Sequence, residues 1–303
     1  MRNAFIDELT LLAEEDDKIF LIIGDLGFGV IENFEKKFPN QFLNAGVAEQ
    51  NMMGMAAGLA SAGYKVFVYS IGNFPVFRCL EQIRNDICYE ELDVSIVSIG
   101  AGLSYGTLGY SHHAIDDIGV MSALPGMTIY SPADPSETRL ALRESVSIQT
   151  PKYFRLGKSG EPNIFNGTPT MFPNWTKLTN GNDLLVLTTG AITKEAIEAA
   201  ALLENLGIRI SVVAIPVLKP LVFDKYLVEQ FENVIVLEEH SKSGGLGTII
   251  SEQFAMNGAK ANIVKLGLPD HVHHELGSQQ HLRHHFKLDA VGIVDKVKQL
   301  LGN

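Results

Sequence analysis

Apolar and polar residues follow two rhythms along this chain. Phe5, Leu9 and Leu12 recur at helical spacing among Asp7, Glu8, Glu14 and Glu15, so the opening segment reads as an amphipathic helix. Strand-length segments then appear at residues 19–23, 66–69, 94–99, 128–130 and 152–156, most of them apolar, with a short one at 42–43. Between them, residues 31–37, 49–62, 77–89, 118–124 and 136–146 have helical spacing. Strands without polar alternation, each followed by a helix, predict a parallel sheet covered on both faces.

The pattern breaks at residues 163–183, where Pro, Asn, Gly and Thr replace periodicity. A second alternating series starts at Leu184 and runs through strands near 208–215, 234–237 and 263–266, with helices at 192–206, after Gly247 and at 290–301. The expected fold class is therefore α/β, with two domains, each a mostly parallel sheet with helices on both faces. The boundaries are residues 1–165, a linker at 166–182, and residues 183–303.

Composition narrows the function. The chain has 303 residues, a net charge of -11 and no basic run longer than a Lys-Lys pair, which argues against a nucleic-acid surface. Cys79 and Cys88 form no Cys-x-x-Cys or zinc pattern, so two reduced thiols are expected. The early run at 19–23 is too short to span a bilayer, and no secretory leader is legible. The expectation is a soluble, cytoplasmic protein with no membrane contact. The histidines at 271, 273, 274, 281, 284 and 285 read as a polar loop, because no carboxylate or cysteine completes a metal set.

Candidate chemistry begins at Glu49, which leads a helix rich in Gly, Ala and Met (residues 49–62). Its small side chains allow it to press against a sheet or a partner. An acid enclosed by apolar atoms loses hydration, which favours its neutral form. Ile71, Phe74 and Phe77 follow at i, i+3, i+6 and can build an apolar and aromatic wall for a flat heterocycle. A Gly-rich loop from Gly100 to His113 carries Tyr105 and His112, in a place where α/β proteins bind ligands. Arg155 and Lys158 close the first domain and offer an anion site. The glycines at 244, 245 and 247 favour a tight strand-to-helix turn, with an anion at the helix start as the lesser reading.

These segments resemble the transketolase family from its pyrimidine-binding domain onward. The resemblance covers nearly the whole chain and is strongest at Glu49, the Phe74 region, the His112 loop and Glu239-His240. It implies that Glu49 hydrogen-bonds a pyrimidine nitrogen of thiamine diphosphate, with Phe74, Phe77 and Ile71 around the ring and Asp25 near the cofactor. It implies His112 as a catalytic, substrate-channel histidine, with Tyr105, Arg155 and Lys158 also facing substrate. The implied activity is transfer of a two-carbon ketol unit from a ketose to an aldose.

Three departures matter. A further His near Gly100 and an Asp near Leu108, common in sugar-phosphate transketolases, are missing. Lysine stands at 158 where the family has arginine. Gly24-Asp25-Leu26-Gly27 is not the Gly-Asp-Gly diphosphate motif, and its Asn-Asn half is absent. The resemblance therefore implies one subunit of a split enzyme, with Met1 read as a natural start. A partner carrying the diphosphate motif would hold Mg2+ and share the cofactor. A homodimer of this chain would give a two-plus-two heterotetramer acting on a sugar or sugar phosphate. The beta subunit of a 2-oxoacid dehydrogenase, a deoxyxylulose-phosphate-synthase-like half and a non-catalytic scaffold are the alternatives.

Overall fold

The computed structural model describes residues 1–165 and 172–302. The first apolar runs become β1 (Ile19–Ile23), β2 (Phe42–Asn44), β3 (Lys65–Ile71), β4 (Val94–Ile99), β5 (Thr128–Tyr130) and β6 (Lys152–Leu156). The second series supplies β7 (Thr176–Lys177), β8 (Leu184–Thr188), β9 (Ile210–Ala214), β10 (Val217–Lys219), β11 (Asn233–Ser241) and β12 (Asn262–Leu268). One sheet has the order β10-β5-β6-β4-β3-β1-β2 and the other β12-β11-β8-β9-β7. Every pairing among β1 to β6 is parallel, as is every pairing among β8, β9, β11 and β12. The fold class expected from the apolar pattern is the one observed. β4 and β8 are buried along their whole length, as unalternated runs require.

Two short antiparallel strands escaped the sequence pattern. β10 leaves the second series and pairs with β5 on the edge of the first sheet. β7 falls within residues 166–182, read as linker, and pairs with β9. At two or three residues, neither is long enough to print a periodicity. The rest of that linker, residues 166–171, lies outside the described residues. Two other elements differ from expectation. The helical stretch after β3 begins at Phe74 and passes into a π-helix at Ile83–Cys88. Part of the histidine-rich segment is a helix, Gln279–His285, capped when Ser278 accepts from the His281 N–H.

The helix Glu49–Ser61 buries Met52, Met53, Ala56, Ala57 and Ala60 against the first sheet, one stripe at 3–4 residue spacing. Its glycines face the other way: a Cβ at Gly54 or Gly58 would meet nothing within 4 Å. Because β1 to β6 run parallel, the segments after their carboxyl ends lie along one edge of the sheet. Asp25, the Phe74 segment, the His112 loop and Lys158 all lie there, as does Glu49 in the connection after β2.

Candidate functional site

Glu49 is the first residue of its helix and is only 3% exposed. Its enclosure is not wholly apolar, which corrects the sequence expectation. Arg78 Nη1 donates to Glu49 Oε2 at 2.7 Å, and the same guanidinium lies 5.3 Å from the Phe74 ring centroid. Sequence reasoning missed Arg78. The available signal was its position four residues after Phe74, which brings the two onto one helical face.

Phe74 is half-buried and Phe77 exposed, and both line a cavity of about 380 Å3 with Asn73, Arg78, Tyr110 and His113. Ile71 ends β3, half-buried and paired with Ile99, and does not line this cavity. The structure places it at the sheet end, one turn before Phe74, apart from the Phe74–Phe77 cavity. Asp25 is exposed with a left-handed backbone, φ 55°. Its N–H donates to Asn44 Oδ1 (3.1 Å), and Asn44 Nδ2 donates to Asp25 Oδ1 (3.0 Å). Asn44 Oδ1 also accepts from the Gly46 N–H, so Asp25 helps fix the turn that leads to Glu49.

The His112 loop folds over Phe74. The His112 ring meets Phe74 edge-on at 5.2 Å and Tyr105 at 6.3 Å, and Ser111 Oγ lies 3.0 Å from His112 Nδ1. Lys158 Nζ sits 4.9 Å over the Tyr105 ring. Gly100, at φ 94°, has no alternative here: a Cβ would fall 2.1 Å from Tyr105 Cε2. Asn73 fastens the loop by donating to the His113 carbonyl (2.6 Å) and the Ser111 carbonyl (3.3 Å). Through Arg78, the structure links Glu49 to Phe74, His112, Tyr105 and Lys158 in one chain of contacts, with Phe77 lining the same cavity as Phe74.

Arg155 does not belong to that chain. It is 3% exposed and spent on internal bonds: Nε donates to Asp117 Oδ2 (2.8 Å), and Nη2 to the carbonyls of Ala114 (2.7 Å) and Glu239 (3.0 Å). Tyr153 donates to the same Asp117 oxygen. The expected anion-gripping Arg155 is corrected to a buried strut between the two sheets. From sequence alone, an arginine inside an apolar strand gives no sign of which carboxylate will meet it.

The second domain holds the loop through Glu239. Its Oε1 accepts from the Leu103 N–H (2.6 Å) and Gln279 Nε2 (2.8 Å), and its Oε2 from Arg283 Nε (2.6 Å). Glu238, next to it, is fully buried and fills the glycine turn: Oε1 accepts from the Gly247 N–H at 2.9 Å. The group at that helix start is the chain's own Glu238 carboxyl. Burial pushes the Glu238 carboxyl up to about 7, and burial holds the neighbouring His240 imidazole down at about 4. Raising an acid's folded pKa above its unfolded value means that stability is present at low pH and lost as the unfolded chain ionises first. Between pH 4.5 and about 7, Glu238→Gln is therefore expected to remove a stability loss of up to about 1.4 kcal/mol per pH unit. Urea melts of both proteins from pH 5 to about 8 check this, and equal slopes contradict it. Among the described residues, no group of three or more His, Cys, Asp or Glu could hold a metal ion, and no helix is long and apolar enough to cross a membrane.

Fold and site define a two-domain α/β protein whose first domain presents a buried carboxylate beside an aromatic cavity. Two family models match it: transketolase, pyrimidine binding domain, over residues 1–162, and transketolase, C-terminal domain, over residues 174–293. The chain belongs to the transketolase family and carries these two domains. It is 34% identical to one of the subunits of apulose-4-phosphate transketolase from Phocaeicola vulgatus, covering 96% of this chain and 94% of that one. It is also 34% identical to 1-deoxy-D-xylulose-5-phosphate synthase of Magnetococcus marinus, but spans only 49% of that protein. Among solved structures, it superposes on a split-gene transketolase described as an inactive beta4 tetramer, with a TM-score of 0.87, 35% identity, and coverage of 99% and 97%. In length and domain content it matches the split form of the family.

Proposed function

We propose that this chain is the pyrimidine-binding subunit of a split, thiamine diphosphate-dependent transketolase. It moves a two-carbon ketol unit from a ketose to an aldose once joined to a partner that holds the diphosphate and Mg2+. The observation that carries this reading is the buried Glu49 carboxylate, joined through Arg78 to the Phe74 ring of an open cavity. A flat aminopyrimidine suits that space: an aromatic face to stack on, the Glu49 carboxylate behind the lining Arg78, and a cavity at the low end of ordinary ligand pockets, roughly 300–1,000 Å3. When bound, thiamine diphosphate supplies an acidic ring C–H and an electron sink that the side chains lack.

The protein's own part is positional and protic. Glu49 would hydrogen-bond the pyrimidine nitrogen, with Arg78 holding its other carboxylate oxygen. Phe74 and Phe77 orient the ring. His112 hydrogen-bonds or shuttles a proton at a sugar hydroxyl, and Lys158 attracts a phosphate across Tyr105. Asp25 stays on the cofactor side of the sheet edge. The bare glycine face of the Glu49 helix suits close docking of another backbone, consistent with a two-plus-two assembly. A cytoplasmic setting follows from substrates of this class.

A deoxyxylulose-phosphate-synthase-like half is the second reading, favoured by the equal identity to the Magnetococcus marinus synthase. Release of carbon dioxide from pyruvate by the reconstituted complex selects it. The proposal itself is tested by calorimetry with thiamine diphosphate and Mg2+. Binding is expected for this chain mixed with a partner bearing the Gly-Asp-Gly motif. Mixed subunits that bind no cofactor overturn it.

A further inference from the structure

Positive charge is concentrated at one place in this acidic chain. The net charge is -11, with 24 Lys and Arg in all. Four of them, Lys242, Lys265, Lys287 and Lys296, line a single cavity of about 380 Å3 in the second domain. Asp295 is the one acid on its lining. None of these five side chains forms an ion pair among the described residues, whereas Lys37, Lys65, Lys152, Lys194 and Lys225 each pair with a carboxylate. Four ammonium groups and one carboxylate leave a surplus of three positive charges, a repulsion that a bound anion relieves.

Three of the lysines are set in place by the fold. Lys265, half-buried on β12, donates from Nζ to Thr248 Oγ1 (3.1 Å). Lys296, half-buried on the helix Ala290–Leu301, donates from Nζ to Gln299 Oε1 (2.8 Å). An ammonium has three donors, so a neutral acceptor leaves both with charge and donors to spare. Lys287 takes the left-handed position after the helix Gln279–His285, at φ 56°. Glycine is the usual and less strained residue there, yet the chain keeps a lysine.

This lining selects a ligand class. It repels a metal cation, and a neutral sugar would leave the ammonium charges unmatched. A lone phosphate carries about 1.5–2 charges at pH 7, short of the surplus, and a diphosphate comes closer. The remaining wall is apolar, with Leu288 buried and Phe286 half-buried, which suits a flat ring. Because β12 is the edge of its sheet, its outward backbone N–H and C=O groups have no strand partner and can meet the polar rim of a heterocyclic base. We propose that this cavity binds a nucleoside diphosphate, with the phosphates on the four lysines and the base against Phe286 and the β12 edge. The site belongs to the second domain, apart from the Phe74–Phe77 cavity, and does not rest on the transketolase reading.

The test is isothermal titration calorimetry of ADP, pyrophosphate and adenosine into the full chain. The same titrations are run on Lys265→Gln, Lys287→Gln and Lys260→Gln, with circular dichroism to verify folding. Lys260 is exposed and off the cavity lining, so its variant makes the same charge change elsewhere. ADP is expected to bind saturably and more tightly than pyrophosphate, which lacks the ring, while adenosine does not bind. Lys265→Gln or Lys287→Gln should weaken ADP binding about tenfold or more, as loss of one hydrogen bond to a charged group predicts. Lys260→Gln should bind as the parent does. If Lys265→Gln fails to fold, the exposed Lys287→Gln decides alone. No ADP binding by the parent, pyrophosphate or adenosine bound as tightly as ADP, undiminished binding by the folded cavity variants, or equal weakening by Lys260→Gln overturns the site.

Discussion

On the proposed function, Glu49→Ala and Glu49→Gln are each expected to lower the turnover of the reconstituted complex by about 10²–10⁴-fold, the usual size of a lost general acid–base group. The loss is chemical rather than structural, because of what each substitution leaves behind. Arg78, the ion-pair partner of Glu49, has 51% of its side chain exposed and can be hydrated once the carboxylate is gone. A pair open to water on one side contributes about 0–1 kcal/mol, too little to unfold a domain. The packed stripe of Met52, Met53, Ala56 and Ala60 is untouched. Turnover, thermal melts and assembly by size-exclusion chromatography should therefore separate. Turnover collapses while the other two hold. Retained turnover in either variant removes Glu49 from the chemistry.

Arg155→Ala has the opposite signature. Asp117 is fully buried, and Arg155 is the cation beside it, so truncation strands a carboxylate in the core. Breaking a buried pair from one side costs about 3–5 kcal/mol, far more than a surface ion pair. The Ala114 and Glu239 carbonyls lose a donor as well, which loosens the seam between β6 and the strand that carries Glu239. Urea denaturation is expected to show that loss, with Lys194→Ala, whose ion pair with Glu198 is open to solvent, costing about 1 kcal/mol or less as the comparison. A cost below about 1 kcal/mol for Arg155→Ala would return Arg155 to the substrate-facing set.

These two residues mark what a sequence can and cannot disclose. Unalternated apolar runs report burial on both faces, so β1 and β8 were legible, as was the two-domain plan. Glu49, Phe74 and His112 stood out because a charge, an aromatic and an imidazole interrupt patterned segments at strand ends. Arg155 stood out for the same reason, yet pairing across 38 residues of chain is a tertiary fact that spacing does not carry. The same applies to Arg78 on Glu49, and to Glu239 clamping Leu103 across 136 residues. β7 and β10 stayed hidden because two or three residues have no period. Ile71 shared the helical spacing of Phe74 and Phe77, but it belongs to the strand, where side chains alternate instead.

The most direct measurement is a crystal structure of the two-subunit complex with thiamine diphosphate and Mg2+. The account predicts the Glu49 carboxylate about 2.6–3.2 Å from a pyrimidine ring nitrogen, the ring against Phe74, and the diphosphate on the partner. A cofactor bound with Glu49 still on Arg78 and beyond reach of the ring would contradict it.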